Sequence, residues 1–505
     1  MVFHPLRSAS WLMLGIATSL AGCAVVGPEY QAPQLSKTDV PGQWTSSTEL
    51  ATKTPATGEE RAASRWWSEL SDPLLDHLVD EAFRSSPSLE AAMAKLNQSR
   101  SAVGQAQAAA LPSVDGGAGA QRAVSDASGK GFNQSWLSTN SSWEIDLFGA
   151  VRRGKEGALA RHAAQQATLA DARVSLAADV ADAYLSYRAC QSYAALSGQD
   201  VKSREATERL TAASVKEGFT APYQAIRSTA SVAEAKTQLA ATRAYCERLE
   251  NQLTRLTGIP RPDLMQSLAD KPTGLDRLPV PRHFSIAVPR EALMQRPDIR
   301  AAERNLAAAS ADIGLAEADR YPRLSLNGSL GYAAEGGSGA LSFGTWSFGP
   351  SLSLPIFDGG RRKAAVDMAK SRYDEALAEF KARARTAIQE VEDALTRYAA
   401  AHERAENARI SATQYQRYFD SVELRFREGA SNLLELEDAR RAMLSAQQTQ
   451  LGVQQERLQA WIALNRTTGG GAQYEMDSAP AATSGPIPVQ ADAGKASQAE
   501  PLPVH

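Results

Sequence analysis

The chain has 505 residues, of which 43% are hydrophobic and 22% charged, and its formal net charge is −3 at pH 7. A near-balanced charge without a basic tract gives no reason to expect a nucleic-acid partner. The length would allow several domains, but the two halves of the sequence resemble each other, which indicates one body built from two related units.

The N-terminus has the features of a lipoprotein signal. Arg7 precedes an apolar run, Trp11 to Leu20, and the run ends in Leu-Ala-Gly-Cys. A short apolar core followed by small residues is typical of a secretory signal peptide. The ending resembles a bacterial lipobox, so Cys23 is predicted to carry a covalent lipid after removal of residues 1–22; an ordinary signal peptide with a chance cysteine is the alternative. Because Ala24 is not an aspartate, the analogy with lipoprotein sorting predicts the outer membrane.

The rest of the chain divides into an arm, two repeats and a tail. Residues 23–65 lack periodicity and are predicted to form a lipidated surface arm, and residues 467–505 are predicted to form a disordered tail. The repeats are predicted at 66–275 and 276–466, and each has a helix, a strand pair and a long helical hairpin. The predicted helices are residues 73–110, 151–217, 222–257, 297–320, 360–427 and 432–466.

The strand pairs are predicted near 113–124 and 133–148 in the first repeat, and near 323–334 and 345–357 in the second. Apolar residues alternate with serine, asparagine and glycine along them, which is the pattern of a transmembrane β-barrel. A half-buried soluble sheet is the commoner cause of such alternation. After the signal no window holds the roughly 18 apolar residues of a spanning helix, so a membrane crossing would have to use strands.

Four strands cannot close a barrel, because spanning barrels begin at about eight strands. Several copies must therefore pool their strands. Two copies would supply eight strands and three copies twelve, and the strand count alone does not choose between them.

Two further cysteines lie in the first predicted hairpin. Cys190 and Cys246 are equally far from Gly218, the expected turn, so they fall at the same height on antiparallel helices. In an oxidising compartment they are a candidate disulfide. Two unrelated core cysteines are the alternative, because spacing does not fix which way the side chains face.

Several motifs together resemble one family, the TolC/OprM-type outer membrane factors of tripartite resistance-nodulation-division efflux systems, and within it the NodT-like lipoprotein group. The resemblance covers about residues 23–466. The motifs are Cys23 with Gly27-Pro28-Glu29-Tyr30, Trp66-Trp67 with Asp72-Pro73-Leu74-Leu75, Arg296-Pro297-Asp298-Ile299, Ala311-Asp312-Ile313-Gly314, and Pro355-Ile356-Phe357-Asp358-Gly359-Gly360-Arg361.

This resemblance implies a mainly α fold with a transmembrane β part. A homotrimer would form a 12-strand β-barrel in outer membrane lipid, continuous with a 12-helix periplasmic α-barrel. The implied function is a passive exit duct for small molecules such as drugs, which receives them from an inner-membrane pump through a periplasmic adaptor. An exit duct for polypeptides and a pore-less periplasmic coiled-coil adaptor are the alternatives.

The working parts are expected at the two hairpin turns. Gly218 and Gly429 suit the left-handed conformation that ends a helix, and the turns Gly218-Phe219 and Gly429-Ala430 are predicted to dock the adaptor. Glu435 and Asp438 share a helix face and match the acids that line the tunnel constriction of the family. Three copies would place a carboxylate ring there, favouring cations, whereas a solvated acidic face is the commoner cause of such a pair.

The first turn departs from the family pattern, because Gln224 stands where an acid is frequent. Closure is therefore predicted to use Arg425 or Arg427 with the second-turn acids, or apolar contacts with Phe426 at the tip. No catalytic residue, metal site or cofactor other than the lipid at Cys23 is predicted, since neither paired histidines, a phosphate loop nor a nucleophile elbow is found in the sequence.

Overall fold

The computed structural model describes residues 25–33, 40–46, 65–124, 131–269, 273–275, 277–279, 289–336 and 341–472. The predicted signal peptide, Cys23 and the greater part of the predicted tail lie outside these residues. The helices are α1 (Pro73–Ser85), α2 (Pro87–Ala108), α3 (Ala150–Lys216), α4 (Pro222–Thr257), α5 (Arg261–Leu268), α6 (Pro289–Gln295), α7 (Pro297–Ala318), α8 (Arg361–Arg427) and α9 (Leu433–Thr467). A 3-10 helix covers Trp66–Leu70, and the strands are β1 (Ser113–Val124), β2 (Gly131–Ile145), β3 (Arg323–Gly336) and β4 (Leu341–Ser353).

Two pairs of corresponding helices in the two repeats have equal lengths. Helices α3 and α8 have 67 residues each, and α2 and α7 have 22 each. At 1.5 Å per residue, a helix such as α3 is about 100 Å long. Among the helices of the described ranges, none is both long and apolar enough to cross a membrane.

One predicted helix, 73–110, is divided in the structure. Ser86 has an extended backbone (ψ 115°) and Pro87 follows it, because a residue before proline is disfavoured in the helical region. The Ser86 hydroxyl then caps the next helix by accepting a hydrogen bond from the Leu89 amide. The chain therefore turns between α1 and α2 instead of continuing as one rod.

The strands form one antiparallel sheet in the order β1-β2-β3-β4. Leu330 pairs with Thr139 on one side and Trp346 on the other, and this face is apolar and exposed: Leu330 is 65% and Trp346 79% accessible. Ser329 lies on the opposite face, where its hydroxyl contacts that of Ser347 at 2.8 Å. The sheet thus has an apolar face that no described part of this chain covers, and a polar face behind it.

The end of the fourth strand differs from the prediction. β4 begins at Leu341 and ends at Ser353, so residues 354–357 of the predicted strand lie beyond it. Ile356 and Phe357 are 92% and 91% exposed. Apolar side chains therefore continue past the sheet, up to the start of α8.

The main core lies where the hairpins meet the short helices. Trp66 packs edge-on against Trp67 and Trp461, with ring centroids 5.6 and 5.3 Å apart. Trp44 of the arm is buried in the same cluster, and the Glu392 carboxylate accepts hydrogen bonds from the Thr45 and Ser46 amides. The arm is therefore not merely peripheral, as its composition suggested, because it contributes a large aromatic side chain to the core.

Two of the resemblance motifs meet in space. Gly27 has a φ of +89°, and a Cβ on it would lie 2.3 Å from the Gly314 Cα, so only glycine allows this approach. The buried Arg153 donates to the carbonyls of Val26 and Gly27, while the Val26 amide donates to the Phe148 carbonyl. The arm is thus fixed at the base of the sheet, three residues after the predicted lipidation site.

The Arg296-Pro297-Asp298 motif also has a structural role. The buried Arg296 guanidinium donates to the carboxylates of Asp298 and Glu390 and to the Thr467 carbonyl. Burial tends to raise the pKa of Asp298, but its hydrogen bond and charge interaction with Arg296 hold that pKa below the usual range. Arg296 therefore ties the start of α7 to α8 and to the end of α9.

The two candidate cysteines are joined in the structure. Cys190 of α3 and Cys246 of α4 are both buried, with their Cα atoms 5.6 Å apart and their sulfurs bonded. The bond links the two helices of the first hairpin well above its turn.

Candidate functional site at the hairpin tips

The two hairpin turns have the same backbone geometry. Gly218 (φ +81°) and Gly429 (φ +76°) are left-handed, as predicted. The Phe219 amide donates to the Ser214 carbonyl, and the Ala430 amide donates to the Arg425 carbonyl, each closing the six-residue loop that ends a helix at glycine. Any side chain at either glycine would strain the turn, so both tips require glycine for the same conformational reason.

The second turn is braced by Arg425. Its guanidinium donates to the Glu435 carboxylate at 3.1 Å and to the Ala430 carbonyl at 3.1 Å. The Ser431 hydroxyl donates to the other oxygen of Glu435, and the Asn432 side chain caps α9 by accepting from the Glu435 amide. Of the two arginines predicted to pair with the second-turn acids, Arg425 contacts Glu435 within the same chain.

The other predicted acid is on the surface. Asp438 pairs with Arg441, and the two side chains are 56% and 62% exposed. Arg427 pairs with Glu423 at 3.2 Å and not with either predicted acid. Each predicted acid therefore already has a cationic neighbour in its own chain, although the surface pair is open to solvent and screened by it.

Phe426 is partly buried at the tip. It packs against a small apolar cluster in which Phe419 and Val422 of α8 meet Leu436, Ala439 and Met443 of α9. It also lines a groove of about 490 Å³, whose walls include Leu210 of α3 and Leu436 of α9. The groove lies between the two hairpins of one chain, so the tips present a partly apolar recess as well as charges.

The first tip exposes apolar side chains beside the exposed acid Glu217. Phe219 in the turn, and Tyr223 and Ile226 at the start of α4, are 86%, 65% and 72% exposed and follow each other at helical spacing. Such a stripe on a helix surface is typical of a contact with another chain.

Above the tips lies a cluster of charges that the sequence did not indicate. Asp200 and Arg204 of α3 meet Glu437 and Arg440 of α9, and we call these four side chains the buried charge cluster. Arg440 is fully buried, and burial raises the pKa of Asp200 although Arg204 opposes the shift. In the sequence these residues are indistinguishable from a solvated helix face, since the contacts that bury them join α3 and α9 residues more than 200 positions apart.

Known proteins of one family are similar to this chain over about nine tenths of its length. The family described as outer membrane efflux protein matches residues 78–259 and 288–470, one match in each repeat. Nodulation protein T of Rhizobium leguminosarum bv. trifolii is 29% identical over 464 residues, which is 90% of this chain and 95% of the relative. The antibiotic efflux pump outer membrane protein ArpC of Pseudomonas putida is 30% identical over 469 residues, 90% of this chain and 93% of the relative.

Among solved structures, the outer-membrane channel OprN is similar over 89% of this chain and 100% of its own, with a TM-score of 0.78 and 31% identity. The similarity to a channel of known structure therefore extends over nearly nine tenths of this chain.

Proposed function

The chain belongs to the outer membrane efflux protein family, and from this premise we propose that three copies form one continuous duct across the outer membrane and the periplasm. The protein is the outer membrane channel component of an efflux system and not an enzyme. Three sheets would close into a twelve-stranded barrel, and the paired hairpins of three chains would form the helical tunnel below it.

The sheet supports this proposal most directly. Its apolar face is exposed and its other face carries serine, asparagine and threonine. Among the residues that the structure describes, β1 pairs only with β2 and β4 only with β3, so the outer edge of each is unpaired. An open sheet edge with unpaired backbone groups is unstable in lipid. Pairing β4 of one copy with β1 of the next would satisfy both edges.

The duct would be gated at its periplasmic tip. Glu435, braced by Arg425, and Asp438 would line the constriction, and Phe426 would pack beside them. The exposed stripe at Phe219 and the turn at Ala430 would dock a periplasmic adaptor, which passes small molecules from an inner-membrane pump. An adaptor that binds the open tip better than the closed one would shift the channel towards opening.

Planar-bilayer recording of the purified protein tests this function. We expect stepwise ionic currents with a preference for cations, because carboxylates would line the narrowest part. A protein that inserts but carries no current would instead support the pore-less adaptor. Heat-denatured protein in the same detergent is the control.

A further inference from the structure

The buried charge cluster joins all four long helices of one chain. Arg440 of α9 donates to Glu437, to the Ser203 hydroxyl at 3.1 Å and to the Thr207 hydroxyl at 2.8 Å, and its guanidinium lies 5.5 Å from the Phe419 ring of α8. Asp200 and Arg204 of α3 are the other two charged members of the cluster.

Arg204 connects the cluster to the first hairpin. It pairs with Asp200 at 2.9 Å, lies 3.6 Å from Glu437 and donates to the Ser231 hydroxyl of α4 at 2.6 Å. Ser231 in turn contacts Glu437 at 3.2 Å. Two cations and two anions are thus enclosed together with three hydroxyl groups, and each charge has an opposite charge beside it.

We propose that Glu437 and Arg440 are positioning residues for the gate: they fix the rotation of α9 and hold it against α3, so that the two hairpins of one chain move as one body at this level. The inference rests on the proposed function, since it concerns the helix that carries the proposed gate acids Glu435 and Asp438.

The rotation follows from helix geometry. Successive residues are about 100° apart around a helix, so Arg440 lies about 140° from Glu435 and about 160° from Asp438, whereas Glu437 is only about 60° from Arg440. Arg440 and the two tip acids are therefore on opposite sides of α9, and Glu437 lies about 160° from Glu435 and about 100° from Asp438. Because Arg440 is held against α3, the side of α9 that carries Glu435 and Asp438 faces away from α3.

The cluster also restricts how the tip opens. Sliding α9 along α3 would separate Arg440 from Ser203 and Thr207 and leave charges buried without full partners, which is strongly unfavourable. The cluster is therefore expected to resist sliding of α9 against α3 at this level.

Three variants separate positioning from folding. Arg440→Met removes the cation and leaves Glu437 buried beside one arginine, so loss of stability is expected. The double variant Glu437→Leu/Arg440→Met removes both charges and leaves Asp200 paired with Arg204, which allows the fold to form without the anchor. Arg440→Lys keeps the charge but not the planar fork, and it should restore only part of the wild-type behaviour.

The matched control is Lys236→Met. Lys236 of α4 pairs with Glu205 of α3 at 2.9 Å, but the Lys236 side chain is 56% exposed. Loss of an exposed pair has little effect, so this variant should behave as wild type.

Two measurements test the proposal. Spin labels at the exposed Lys202 of α3 and Ser445 of α9 should give one narrow distance in the wild type and the control, and a broadened distribution in the double variant. In bilayers, the double variant should change the cation-to-anion permeability ratio by about twofold or more, because the acids are no longer held in place.

A double variant that folds, keeps the narrow distance and conducts as wild type would overturn the proposal and leave the cluster a purely structural feature. A wild-type protein without any current would refute the proposed channel, but the distance distribution would still decide whether the cluster holds α9 in place.

Discussion

Arginine in place of Leu330 is expected to abolish assembly of the protein in the outer membrane. Leu330 lies in the middle of β3 on the apolar face, between Thr139 and Trp346, and is 65% exposed in the single chain. A lipid-facing arginine near the bilayer midplane costs about 2–4 kcal/mol, and a trimer would incur this cost three times. The amount of trimer in isolated outer membranes, measured by immunoblot after mild solubilisation, should fall to a small fraction of the wild type.

The neighbouring residue supplies the control. Ser329→Arg places the same side chain one position earlier, on the polar face next to Ser347, where it would meet water. We expect normal assembly and an altered ion preference. If both arginine variants assemble equally well, the exposed leucine and tryptophan side chains do not meet lipid.

Removing both tip acids should weaken cation selectivity. In Glu435→Gln/Asp438→Asn each chain loses two carboxylates near the proposed constriction, so we expect the cation-to-anion permeability ratio to fall by about twofold or more. The freed Arg425 guanidinium, which contacts Glu435 in the wild type, should enlarge this effect. Reversal potentials in a salt gradient measure it.

Asp420→Asn is the control for that variant, because Asp420 is an exposed acid of α8 whose carboxylate accepts only from Gln416 in the structure described. Arg425→Gln gives an independent check with the opposite sign, since it removes a cation beside Glu435 and should raise cation preference. Unchanged currents and selectivity in the double acid variant would place the constriction elsewhere.

The long helices were predictable because their sequences leave few alternatives. Alanine-rich periodicity without internal proline defined α3, α4, α8 and α9 to within two residues, and Gly218 and Gly429 marked both turns. The division at Ser86 was also present in the sequence, as a residue before proline, but helical periodicity on both sides concealed it. The short helices α5 and α6 are too short for periodicity to indicate them.

The interactions between distant segments were not predictable. Glu437 and Asp438 are adjacent acids, and only folding buries the first and exposes the second. The contact of Gly27 with Gly314 and the packing of Trp44 likewise depend on segments far apart in the chain. Sequence motifs predicted Glu435 and Asp438 as gate acids, whereas the contacts around these two residues became apparent only from the structure.

The shared barrel is tested most directly by disulfide crosslinking between the sheet edges. Val114→Cys on β1 is combined in turn with cysteines at Trp346, Phe348, Pro350 and Leu352 on β4, and membranes are oxidised and run without reductant. Since β1 and β4 are opposite edges of one sheet, we expect at least one pair to give a ladder of covalent products that ends at three chains, and single cysteines to give none. Monomers alone in every pair, or a ladder that continues beyond three, would contradict a closed barrel made by three copies.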